Sequence, residues 1–168
     1  MIKSDIHKLK SKKIAIISDI MLPSQANANG NVHGGEIMKM MDSCAGCASM
    51  RYSAGTVVTA RVDEIMFHYP VFVGQLVTCI SEVIFVGSTS METVVRVYAE
   101  DMDKEDDDGI LALTAMFTMV AIDKDGKPRK VRPMAIPEEE EELRLYRMGQ
   151  QRYQYFKEQR KKQDSHGF

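Results

Sequence analysis

The stretch Gly35–Ser53, GEIMKMMDSCAGCASMRYS, decides the fold. Ile37, Met41, Cys44, Ala45 and Ala48 fall at i, i+4, i+7, i+8 and i+11, which is one face of an α-helix. Its second half, SCAGCAS, is nearly all small residues, so the helix axis can come close to a packed surface. Such a helix is expected to be wrapped by a sheet. Before it, KIAIISDIM (13–21) reads as a β-branched strand ended by Pro23, and PSQANANGNVH (23–33) as a polar loop. After it come four strand-like runs at 55–67, 75–86, 91–100 and 110–122. Tyr69-Pro70 with Gly74, Gly87-Ser88 and Asp101–Gly109 separate them, and Asp123–Gly126 ends the last. Two-residue alternation is clearest in Met91, Thr93, Val95, Val97 and Ala99. Glu138–Glu142 then open a C-terminal helix that turns basic by Arg160-Lys161-Lys162, the polarity that complements a helix macrodipole. The order predicts an α+β domain with an antiparallel sheet around one long central helix.

Composition removes several classes of function. A chain of 168 residues suits one domain with its own core. With 22 basic against 24 acidic residues, bulk charge does not favour a nucleic-acid partner. Cys44, Cys47 and Cys79 are too few and odd in number for a disulfide scaffold, which fits a reducing cytoplasm. Five lysines before Ile14–Leu22 resemble a signal peptide, but Asp19 interrupts the apolar run and no small-residue cleavage site follows. No segment reaches the roughly 18 apolar residues of a membrane helix. A cytoplasmic protein with no membrane partner is expected. Cys44 and Cys47 form a C-x-x-C inside the helical pattern, beside Ala45 and Ala48, and read as small buried residues. Zinc would require two further ligands, and a redox dithiol its first cysteine at a helix start, so no metal or cofactor is expected. The helix methionines Met38, Met40, Met41 and Met50 read as core packing, with the lining of a tunnel as the alternative.

The chemistry concentrates around the start of the central helix. Gly34 and Gly35 sit where backbone N–H groups lack intrahelical acceptors and the dipole end is positive. Without Cβ atoms, they admit a ligand close to that backbone, a place suited to a carbonyl oxygen becoming an oxyanion. Asp42, eight residues after Gly34, falls at the flank of the apolar face, partly desolvated and placed to act as a base. Asn27 offers an amide to orient water or a carbonyl. Together these are the parts of an acyl-transfer hydrolysis without a Ser or Cys nucleophile. Taken singly, a double glycine, an Asn-rich loop and a mid-helix Asp also serve purely structural ends.

The strings NANGNVHGGEIMKMMD (27–42), TARVDEIMFHYPVFVGQ (59–75) and GSTSMETVVRVYAED (87–101) resemble the acyl-CoA thioester hydrolase family of hotdog enzymes. The resemblance covers about residues 13–135 and includes bacterial members and domains of animal cytosolic acyl-CoA hydrolases. It implies a basic segment at 1–12, a hotdog thioesterase domain at 13–135 and a charged C-terminal helix and tail at 136–168. It implies hydrolysis of acyl-CoA to CoA and a carboxylic acid, with CoA as substrate moiety and no separate cofactor. It further implies a homodimer with active sites at its interface, assembled as a trimer of dimers. Asp42 matches the family's catalytic acid and Asn27 its active-site asparagine, the two expected to meet across the interface. Gly34 and Gly35 match the helix-start glycines whose N–H groups face the thioester carbonyl. The CoA-contacting stretches fall on Ala60, Arg61 and Val62 and on Thr89, Ser90 and Met91, with Arg152 expected near the phosphates. Many members carry Arg or Lys where this chain has Ser88, so Arg51 or the basic run Lys127–Arg132 is expected to compensate. His33 carries no assigned proton-transfer role. A non-catalytic acyl-CoA sensor is the competing reading, since fold does not fix function. A dehydratase on the same fold would use a His base on a different loop motif.

Overall fold

Alternation along each strand settles which side chains meet which helix. The computed structural model describes residues 11–104 and 108–166; most of the basic segment 1–12 and part of the acidic turn at 101–109 lie outside the described residues. Strands β1 (Ile14–Ile20), β2 (Val57–Phe67), β3 (Leu76–Val86), β4 (Ser90–Glu100) and β5 (Ile110–Ala121) form one antiparallel sheet in the order β1-β3-β4-β5-β2. Helix α1 (Gly34–Ser53) lies between β1 and β2 in sequence, and helix α2 (Glu140–His166) follows the sheet. This is the hotdog arrangement. Among the described residues, no helix is long and apolar enough to cross a membrane.

On the inner face, Val77 and Cys79 of β3, Val95 and Val97 of β4, and Leu113 and Phe117 of β5 join Ile37, Met41, Cys44 and Ala48 of α1 in the main core. The small residues bring α1 close enough for side-chain bonds between its backbone and the sheet. Ser81 Oγ donates to the Cys44 carbonyl at 2.8 Å, and Cys44 Sγ donates to the Cys79 carbonyl at 3.3 Å. The alternate positions Ile84, Val94 and Met116 point the other way and meet Leu145 and Met148 of α2. The outer face of the sheet is therefore also covered.

Strand β2 departs from regular alternation. Thr59 opposes Met119 and Arg61 opposes Thr118, so Ala60 is an extra residue without a partner across the ladder. Thr59 and Val62 consequently face inward, while Arg61 and Asp63 face α2. A second irregularity follows between Asp63 and Met66, where Glu64 adopts a left-handed φ of 51°.

Helix α2 comes closest to the sheet at Gly149, where an added Cβ would lie 2.6 Å from Phe85 Cβ and 3.1 Å from Ile84 Cγ1. Phe85 in turn packs edge-on against Tyr146, with centroids 5.3 Å apart. Gly149→Val should push α2 off the sheet and lower unfolding stability by about 1–3 kcal/mol, read as a fall in the urea midpoint at unchanged m-value.

Candidate active site

The loop before α1 is shaped by its own backbone. Asn27 N–H donates to the Asn31 carbonyl at 2.7 Å, and Gly30 N–H donates to the Asn27 carbonyl at 3.0 Å. Gly30 has φ +84°, which suits glycine at this turn. Asn29 N–H donates to Asn27 Oδ1 at 2.8 Å, so the Asn27 carboxamide is oriented with Nδ2 as the end able to donate. Val32 N–H then bonds the Val71 carbonyl at 2.8 Å, tying the loop to the segment after β2. Between them opens a cleft of about 360 Å³ lined by Asn27, Gly34, Ile37, Phe67, His68 and Leu113, among others. His68 Nε2 lies 3.1 Å from Thr114 Oγ1. A Cβ on Gly34 would sit 3.1 Å from the Phe67 ring, so this glycine allows the ring to close on the helix start.

The two glycines expected to act together are placed differently. Gly34 lines the cleft. Gly35 N–H instead donates to Nδ1 of His33, which caps α1, at 3.0 Å. His33 thus has a structural task that the spacing did not suggest, and its Nδ1 carries no proton in this arrangement.

Asp42 is exposed rather than partly desolvated as its helical position suggested. Its side chain points past the core to β2, the open edge of the sheet, where Thr59 Oγ1 donates to Asp42 Oδ1 at 2.5 Å. Thr59 also lies 3.6 Å from Met119 Sδ. The sequence reading missed Thr59, because only the Ala60 bulge reveals that Thr59 faces α1 while Arg61 does not. Asp42 stands about 12 Å along the helix from Gly34, at 1.5 Å per residue. Asn27 and Gly34 therefore share a cleft to which Asp42 of the same chain does not contribute.

A second cleft of about 260 Å³ lies on the outer face. Arg61, Thr89 and Ser90, from the two stretches the resemblance singled out, line it together with Phe156, Lys157 and Arg160 of α2. Ser88 itself lines it as well. Ala60 is exposed at the bulge, Val62 turns toward the core and Met91 is buried in the core, so none of the three lines this cleft. Of the basic residues expected to compensate for Ser88, the arginines are engaged elsewhere. Arg51 donates to the Ile14 carbonyl, Arg129 to the Ser53 carbonyl at 3.0 Å, and Arg132 stacks on Tyr52 at 4.7 Å.

Arg152 is also placed differently from expectation. It is 9% exposed, and its guanidinium is shared among Asp63, Glu64 and Glu92, the last at 3.4 Å. Thr118 Oγ1 donates to the other Glu92 oxygen at 3.0 Å. Arg152 is thus committed to carboxylates, and Lys157 and Arg160 are the α2 cations at the cleft.

Burial pushes the Glu92 carboxyl above the usual carboxylate range, while Thr118 and Arg152 pull the other way. Between the ordinary value and the raised one, the native state holds a proton that the unfolded chain has released. Stability from this group is accordingly full below the ordinary range and is lost as pH rises through the raised value. Urea midpoints measured across that window should fall with rising pH, and Glu92→Gln should flatten the slope.

The thioesterase superfamily profile matches residues 29–105. The mouse cytosolic acyl coenzyme A thioester hydrolase is 36% identical over 138 residues, which is 82% of this chain and 36% of the mouse protein; the chain thus spans about a third of that relative's length. The acyl-CoA hydrolase from Staphylococcus aureus, solved with butyryl-CoA, CoA and CoA disulfide, superposes with a TM-score of 0.80 at 28% identity, covering 90% of this chain and 91% of that one. It has also been crystallised with single Asn, Asp or Thr residues changed to Ala. A hexameric thioesterase from Yersinia pestis is 33% identical, with a TM-score of 0.65 over 70% of this chain and 94% of that one. With a fold and a helix-start motif of this kind, and relatives matched along most of its length, the chain belongs to the acyl-CoA thioester hydrolases of the thioesterase superfamily.

Proposed function

We propose that the chain hydrolyses acyl-CoA thioesters to free CoA and a carboxylic acid. The observation that carries this reading is Asn27 and Gly34 facing one cleft at the α1 N-terminus. There a thioester carbonyl meets the Asn27 amide, a backbone N–H and the positive end of the helix dipole. Gly35 N–H joins only if His33 turns aside. Asp42, oriented by Thr59, takes a proton from water as the water oxygen attacks the carbonyl carbon. The C–S bond then breaks, and the departing CoA thiolate takes up the proton held by Asp42, which returns to its carboxylate form. Attack by the Asp42 carboxylate itself, through an anhydride that water then opens, uses the same residues.

The site is completed by a second copy of the chain. Asp42 and Asn27 of one chain do not share a cleft, and the edge strand β2 exposes Val58, Met66 and Phe67. An open, apolar edge calls for a partner, and a two-fold axis would bring Asn27 of one copy to Asp42 of the other, twice per dimer. A trimer of such dimers gives a hexamer. The CoA nucleotide lies in the second cleft, with Arg61, Lys157 and Arg160 toward its phosphates and Thr89 and Ser90 offering hydroxyls.

Asp42→Asn should lower kcat by about 10²–10⁴-fold without a change in melting temperature, measured as thiol release from acyl-CoA. Retention of near wild-type turnover would remove Asp42 from the chemistry. Tight acyl-CoA binding with no turnover by the wild type would point instead to a sensor.

Mixing dissociated Asp42→Asn and Asn27→Ala proteins tests the shared site. Random pairing makes about half the dimers mixed, each with one intact site of two, so activity should return to roughly a quarter of wild type. Demonstrated subunit exchange with no recovery would place both residues in one chain's site.

A further inference from the structure

Arg152 does not line the outer cleft, yet it sits where three elements converge. Its guanidinium joins Asp63 and Glu64 of the edge strand to Glu92 of β4. Three carboxylates against one fork fix the rotation of α2 about its own axis, because a planar guanidinium satisfies them in only one orientation. Phe156 lies four residues on, on the same helical face, with the Arg152 guanidinium 5.4 Å from its ring centre. The other cation on that ring is Arg61, stacked at 3.4 Å.

Stacking holds the plane of the Arg61 guanidinium while leaving its N–H edge available. That edge is short of acceptors. Among the described residues, Arg61 Nη1 is one of two buried side-chain polar atoms without a hydrogen-bond partner, the other being Asp63 Oδ2. A buried unsatisfied guanidinium N–H is costly, so Arg61 gains from any shift of its side chain that brings this N–H to an anionic oxygen in the cleft. Arg152 also governs charge at this point. Without it, Glu92, which lines the same cleft and feels the Arg61 charge, would compete with a ligand for the Arg61 guanidinium.

We propose that Arg152 is a positioning residue for the nucleotide end of the substrate, locking Phe156 against Arg61 so that Arg61 meets the CoA phosphates. This rests on the reading of the outer cleft as the nucleotide site. Arg152 binds no phosphate itself.

The experiment compares acyl-CoA with the matching acyl-pantetheine thioester, which keeps the acyl and pantetheine parts and lacks the nucleotide. The readout is the ratio of kcat/KM for the two substrates in the full-length assembly. Arg152→Met should lower that ratio about tenfold, the scale of one charge-assisted contact. Arg152→Lys should lower it less, since a point charge neutralises the carboxylates without reproducing the fork. A merely structural role would scale both substrates alike and leave the ratio unmoved, which would overturn the proposal. Should Arg152→Met fail to fold, Phe156→Leu carries the same test with the carboxylate cluster intact, and it too should lower the ratio. Arg61→Met separates the two levels of the argument. If it leaves the ratio unmoved, the nucleotide is not read at this cleft and the proposal falls with that reading. If it lowers the ratio while Arg152→Met and Phe156→Leu do not, the cleft reading stands and positioning by Arg152 is refuted.

Discussion

One extra residue in an edge strand sets both the hydrogen-bond partner of Asp42 and the arginine of the outer cleft. In a regular strand, Thr59, Arg61 and Asp63 would share a face. The bulge at Ala60 reverses the parity, so that Thr59 stays inward over Met119 while Arg61 and Asp63 turn outward opposite Thr118 and Met116. The inward turn holds Asp42 through Thr59; the outward turn gives α2 its ion partner in Asp63 and gives the outer cleft Arg61. Without the bulge, one of these sets loses its anchor. Bulges concentrate near functional sites because they re-aim side chains at the cost of a single ladder position.

The attachment of α2 shows how apolar and charged contacts divide the work. Leu145 and Met148 bury against Ile84, Val94 and Met116, and Phe85 packs on Tyr146 and Tyr153. That burial is non-directional and supplies the attraction. The Arg152 cluster is a poor source of net stability, since desolvating ions offsets much of their mutual attraction. What it adds is direction. An apolar seam alone tolerates small rotations of a helix, whereas a guanidinium shared by three carboxylates does not. The raised Glu92 carboxyl reflects the cost of that direction, for burial outweighs the stabilising neighbours.

Much of this architecture is legible from residue periods. The spacing of Ile37, Met41, Cys44 and Ala48 gives α1 and its buried face, and the strand limits fall within two residues of those read from turn chemistry. The cleft at Gly34 follows from glycine at a helix start beside an asparagine loop. The bulge is not legible, because Ala60 lies in a run, TVVTARVDE, with no glycine or proline to mark it. With the parity unknown, Thr59 could not be matched to Asp42. The setting of Arg152 is not legible for a related reason: the carboxylates that hold it lie 60 to 89 residues away in sequence. Position i+8 on α1 gave Asp42 a place at the flank of the apolar face, but an edge strand leaves that flank open to water.

That openness makes assembly part of the proposed chemistry. A carboxylate in water is a weak base toward a water molecule, and one protein contact, from Thr59, orients Asp42 without excluding solvent. Exclusion has to come from a surface that closes on the β2 edge, and the exposed Val58, Met66 and Phe67 supply apolar area for that closure. Burying a charge in this way is costly unless it is hydrogen-bonded. In the proposed dimer the Asn27 carboxamide of the second copy would meet that requirement, because its Oδ1 accepts within its own loop and leaves the Nδ2 donors for the incoming carboxylate. An acceptor presented there would be repelled. In the proposed dimer, the loop hydrogen bond from Asn29 would therefore do more than shape a turn: by fixing which end of an amide faces outward, it would make the interface complementary to Asp42 in its charged form, the form that can accept a proton.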